Sequence, residues 1–124
     1  MNMENRKEER KKLEDIFNTL LDKAFRDEFY GRIKRDSEFD TIFYVRDMEG
    51  EEVDDMGDIY DIAILLPYLT KDYDISFFAN CDASRGNITD GLQISGYLEI
   101  TDGGNLKLTD VEAHFFEGLL DEYY

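Results

Sequence analysis

The sequence predicts one α+β domain over residues 1–124, with an N-terminal and a C-terminal helix packed on an antiparallel sheet of about four or five strands. Three observations carry that expectation: an apolar stripe at helical spacing near the start, β-rich runs through the middle, and a capping box followed by a second apolar stripe at the end. At 124 residues the chain has the length of one domain with one core. No internal repeat, Pro/Gly/Ser linker or low-complexity tract divides it.

The first element is a helix, because Leu13, Ile16, Phe17, Leu20, Leu21, Ala24 and Phe25 recur at steps of three and four and make one apolar stripe. Glu8 to Lys12 and Asp22 to Arg26 are acid-before-base pairs four apart, and Gly31 is the expected stop. The basic head (Arg6, Lys7, Arg10, Lys11, Lys12) alternates with Glu4, Glu8 and Glu9, the pattern of a solvated helix surface rather than a nucleic-acid arm. Phe39 to Arg46 reads as a strand from its run of Thr, Ile, Phe, Tyr and Val. Ile59 to Leu69 is apolar nearly throughout, and periodicity leaves strand and helix both open there. Thr70-Lys71-Asp72 reads as a turn, Tyr73 to Ala79 as a strand, and Asp82 to Gly91 as a polar loop.

Tyr97 to Ile100 and Leu106 to Leu108 flank Asp102-Gly103-Gly104-Asn105, which predicts a tight hairpin. Thr109-Asp110-Val111-Glu112 is a capping box, so a helix is expected from Asp110, with Val111, Phe115, Phe116, Leu119, Leu120 and Tyr123 on its apolar face.

Charge is the strongest functional signal, and it is divided by position. Met1 to Arg35 holds ten Lys/Arg against eight Asp/Glu, whereas Asp36 to Tyr124 holds four against twenty-two, so a net of +2 is followed by one of −18 and the chain's formal −16 arises beyond the first helix. Nine Phe and eight Tyr exclude a disordered acidic tail, so the chain is a folded protein with an acidic skin. Such a field repels nucleic acid and anionic membranes and attracts basic protein surfaces. The single cysteine excludes an internal disulfide and fits a reducing compartment. The highly charged start has no apolar region after it, and the longest apolar run, Ile62 to Leu66, is too short to span a bilayer. A cytoplasmic protein is expected.

Catalytic equipment is sparse. His114 is expected on the surface of the last helix, and Cys81 as a small inert residue at a strand end, with Arg85 the only base near it in sequence. Ser84 and Ser95 lack a nucleophile-elbow motif, and no Gly-Lys-Ser/Thr element accompanies the glycines. The reading is therefore not an enzyme and no cofactor. Asp47, Glu49, Glu51, Glu52, Asp54, Asp55, Asp58 and Asp61 crowd into fifteen residues with no intervening base. An EF-hand loop begun at Asp47 would need Gly at its sixth position and Glu at its twelfth, where this chain has Glu52 and Asp58, so no dedicated metal site is expected.

Those eight acids, with Asp72 and Asp74 as neighbours, form the expected partner-binding footprint. Tyr44 and Tyr60 are candidate aromatic anchors that also suit a core. Crowded carboxylates destabilise their own domain by self-repulsion, and a rigid sheet carrying them can occupy a groove built for DNA phosphates. In size, charge and lack of catalytic equipment the chain resembles the small acidic inhibitors of phages and mobile elements, such as anti-CRISPR and anti-restriction DNA mimics. That resemblance implies an inhibitor that binds a basic nucleic-acid-binding protein in the host cytoplasm, with no direct binding to nucleic acid or membrane.

Ser84-Arg85-Gly86-Asn87-Ile88, Gly96 to Ile100, the Gly103-Gly104 tip and Leu106 to Thr109 also resemble the recognition helix, wing and following helix of winged-helix regulators, over at most the region from Ile62 onwards. Arg85 is the only base of that recognition helix, so the resemblance implies a winged-helix-like half adapted to protein contact. In size, acidity and mixed helix-and-strand content the chain resembles type III secretion chaperones too, which implies an acidic cytosolic chaperone or immunity protein.

Overall fold

The computed structural model describes residues 3–47, 52–55, 73–100 and 105–123. Helix α1 (Met3–Phe29) is followed by β1 (Lys34–Arg35), β2 (Asp40–Asp47), β3 (Glu52–Asp55), β4 (Tyr73–Arg85), β5 (Ile88–Ile100) and β6 (Leu106–Phe115). The strands form one antiparallel sheet in the order β3-β2-β4-β5-β6, and the two-residue β1 also pairs with β4. Among the described residues this is an α+β arrangement with one α-helix on one face of the sheet. Ile59 to Leu69, Tyr60, the Thr70 to Asp72 turn and the Asp102 to Gly104 tip lie outside the described residues.

The helical stripe packs as expected. Leu21, Phe25 and Phe29 are buried with Phe17 at steps of four, Leu13 is partly buried above them, and Ile16 lies exposed on the flank. Asp22 meets Arg26 at 3.6 Å and Lys23 meets Asp27 at 3.7 Å, pairs that each contribute a few tenths of a kcal/mol. The helix stops where Tyr30 and Gly31 turn to positive φ, with the Tyr30 amide bonded to the Arg26 carbonyl.

The sheet lays its inner face on that stripe. Phe43, Val45, Ile75, Phe77, Ala79, Cys81, Ala83, Leu92, Ile94, Leu98 and Phe115 alternate along their strands and are buried. The Phe17 ring stands edge-on to Phe43 at 5.0 Å and to Phe77 at 5.5 Å, while Phe29 tilts against Phe115 at 5.5 Å. Gly96, registered opposite Phe77, makes room for that ring: a Cβ there would sit 3.2 Å from it and 2.9 Å from the Thr109 carbonyl oxygen.

Two expectations are corrected. Asp82 to Gly91 is not a loop, because β4 and β5 pair without interruption down to Arg85 opposite Ile88. Gly86 at positive φ, followed by Asn87, joins them in a two-residue turn of the kind that suits the strand twist. Ser84 to Ile88 therefore forms a hairpin end, and the recognition helix required by the winged-helix-like alternative is absent from it.

The C-terminal helix is likewise replaced by β6. Leu106 and Leu108 keep one period of two and Val111, Ala113 and Phe115 keep another, with Asp110 between them as an extra residue at φ 51. The register with β5 shifts at that point, from Tyr97 opposite Thr109 to Ser95 opposite Glu112. One bulged residue thus changes the phase of a strand, and the resulting spacings mimic a helix. The expected hairpin pairing itself is present, with Leu98 opposite Leu108 and Ile100 opposite Leu106. Beyond Phe115 the chain bends and closes in a 3-10 turn, Asp121–Tyr123, rather than an α-helix. The nearly buried Asp90 carboxylate accepts the amides of Glu117 and Leu119 and holds that bend.

Candidate functional site

Five of the ten expected footprint residues fall within the described residues, and the register gathers them at one corner of the sheet. Asp47 ends β2 opposite Tyr73, and Asp74 lies opposite Arg46. On the edge strand β3, Glu52 is opposite Arg46, Asp54 opposite Val45 and Asp55 opposite Tyr44. Neighbouring strands are about 4.8 Å apart, so Glu52, Arg46 and Asp74 span only about 10 Å, and the base sits between two acids. Glu49, Glu51, Asp58, Asp61 and Asp72 lie outside the described residues.

The corner leads onto the outer face of the sheet, whose far end is covered at Gly91 by the Phe116 ring. On this face Ile42 pairs with Phe78 across β2 and β4, and Phe78 with Ser95 on β5; one row along, Tyr44 pairs with Ser76 and Ser76 with Tyr97. Tyr44 is half-buried, its ring edge-on to Phe78 at 5.8 Å. Ile42, Phe78 and Tyr97 are 39, 37 and 44% exposed. This apolar centre is absent from the sequence-based footprint. Its signal was the absence of alternation: Ile42-Phe43-Tyr44-Val45 and Phe77-Phe78 offer apolar side chains to both faces, whereas a sheet covered on one side normally reads apolar in and polar out.

Around the centre the surface is polar. Gln93 donates to the Asn80 side-chain oxygen at 3.1 Å. Asp40, Asp74, Asp82, Glu99 and Glu112 are exposed, and among the described residues the Lys and Arg of this face are Lys34, Arg46 and Lys107.

Cys81 and His114 occupy opposite sides of the sheet. His114 is an exposed residue of β6, opposite Gln93, rather than part of a helix. Cys81 lies within β4 rather than at a strand end, and burial pushes its thiol from 9.0 up to about 11, only partly offset by the nearby Arg35 guanidinium. The thiol is therefore expected to resist an aromatic disulfide reagent in the native protein and to react once the chain is unfolded in urea. The unfolded chain releases this proton near pH 9 and the folded chain near 11, so between those values the unfolded state holds fewer protons and stability falls as pH rises. The loss reaches about 3 kcal/mol at most. Urea melts across that window, compared with Cys81→Ala, isolate it.

Among the described residues, no helix is long and apolar enough to cross a membrane. No protein-family model matches the chain, and no curated protein or solved structure matches it significantly.

Proposed function

We propose that this protein is a non-enzymatic inhibitor, an acidic mimic of nucleic acid that occupies the basic groove of a nucleic-acid-binding protein in the manner of anti-CRISPR or anti-restriction proteins. One observation carries the reading: beyond Arg35, twenty-two acids face four bases on a chain whose described residues there are mostly strands of one sheet. Proteins bind duplex DNA by setting Lys and Arg against phosphates spaced one per about 1.7 Å of axis, and they gain from the counterions released. Carboxylates held at strand register present the same sign of charge at fixed spacing, so the same basic groove accepts them. The place of action is the cytoplasm, that of the host cell if the protein is phage-encoded.

The test is capture of the partner on immobilised protein, elution in rising salt and displacement by added DNA or RNA. A nucleic-acid-binding protein that leaves steeply with salt and is displaced by nucleic acid supports the reading. The exposed Ile42, Phe78 and Tyr97 favour a second one, an acidic chaperone or immunity protein that masks apolar surface. Its partner stays bound as salt rises, because apolar contact is not screened.

A further inference from the structure

We infer that the outer face of the sheet, centred on Ile42, Phe78 and Tyr97, is the docking surface for an arginine-rich surface of the partner, whose guanidinium groups lie on the aromatic rings and pair with the surrounding carboxylates. The inference rests on the reading that the partner is basic, and adds to it where that partner binds and which cation it presents.

Placement comes first. Ile42 and Phe78 are cross-strand partners, Tyr97 is the diagonal neighbour of Phe78 on the next strand, and Tyr44 extends the group along β2 through its contact with Phe78, with Ser76 between Tyr44 and Tyr97. Large apolar side chains joined in this way across three strands make a patch rather than scattered exposure, and such patches with polar rims mark interaction sites. Here acids outnumber bases: Asp40, Asp74, Asp82, Glu99 and Glu112 are all exposed on the strands that carry or border the patch, against Lys34, Arg46 and Lys107.

Charge then selects the occupant. A second copy laid face to face would bring these carboxylates onto their own equivalents, on a protein of net charge −16, and a nucleic acid would be repelled in the same way. Lysine fits only half of the surface, because its compact ammonium is strongly hydrated. Arginine fits both halves: its planar group is weakly hydrated, stacks on aromatic rings and still donates to carboxylates from its edge.

The fold itself contains this combination. The Arg35 guanidinium lies 4.6 Å over the Phe39 ring and donates to the Asp22 carboxylate at 3.3 Å. The Arg85 guanidinium lies 4.5 Å over the Tyr123 ring. The outer face offers rings and carboxylates in the same pairing, with few guanidinium groups of its own.

Oligoarginine and oligolysine peptides of equal length, titrated into the intact isotope-labelled protein at low salt, test this. Oligoarginine is expected to bind about tenfold more tightly, and to shift the amide signals of Ile42, Phe78 and Tyr97 but not those of Asn18 and Lys23 on the exposed side of α1. Ile42→Ser/Phe78→Ser/Tyr97→Ser, once its circular dichroism shows a folded protein, should bind both peptides equally at the oligolysine level. Should the triple variant not fold, Tyr97→Ser alone should reduce the arginine preference about threefold.

Equal binding of the two peptides, or shifts confined to residues 47–55, overturns the docking face and leaves the charge-mimic reading standing. No binding of either peptide overturns both. Two other occupants would also overturn it: a second copy, seen as a dimer in sedimentation that the triple variant dissolves, or the chain's own residues 56–72, seen as amide shifts there when the patch is replaced without peptide.

Discussion

Phe77→Ala is expected to remove about 3–5 kcal/mol of folding stability, a large part of the roughly 5–15 kcal/mol that holds a domain of this size. The ring is fully buried at the centre of the sheet, edge-on to Phe17 of the helix and flanked across the strands by Phe43 and Gly96. The cost is at the upper end because the site cannot collapse. Gly96 has no side chain to move into the space, and Phe17 is held by Phe43 on its other contact. Phe78→Ala, one residue along on the open face, should cost less than about 1 kcal/mol, because that ring is already partly in water. Urea unfolding measures both: the Phe77 midpoint should fall steeply at unchanged slope, and the Phe78 midpoint should barely move. Equal shifts would mean that the two faces of the sheet are assigned wrongly.

Reversing Asp47, Glu49, Asp55 and Asp58 to Lys changes the charge by two at each of four positions, from −16 to −8. On the nucleic-acid-mimic reading, association with the basic partner should slow by about 10²–10³ at low salt, since steering by opposite charge separates fast association from the neutral rate by that much. The difference should shrink as salt rises and the screening length falls towards a few Å. Glu52 and Asp74 are left in place because both are registered opposite Arg46, and lysines there would set like charges across strands. Since the variant relieves self-repulsion elsewhere, lost binding would not come from lost folding. Rapid-mixing association rates over a salt series provide the measurement. An unchanged rate in a folded variant would remove these acids from the footprint.

The misread elements share a physical cause. In α1 the apolar residues recur with one unbroken period, so the sequence is legible; in β6 a single bulged residue, Asp110, shifts the phase, and two short strand patterns combine into a spacing that a helix also satisfies. The capping box at Thr109 to Glu112 is a local preference worth about 1 kcal/mol, which pairing with β5 over most of ten residues outweighs. Asp82 to Gly91 was polar because alternate residues face water, and its Gly86-Asn87 pair was a hairpin signal within an apparent loop.

By itself the sequence determined the helix and its buried stripe, strand β2, the first half of β4, the hairpin of Tyr97 to Ile100 with Leu106 to Leu108, and the position of the charge, because each is written in neighbouring residues. Only the tertiary structure decided which apolar residues remain in water and which acids share a corner. Phe77 and Phe78 are chemically identical, and the helix lying on one side of the sheet makes one of them core and the other surface. Likewise Glu52, Arg46 and Asp74 are distant along the chain, and strand register makes them neighbours.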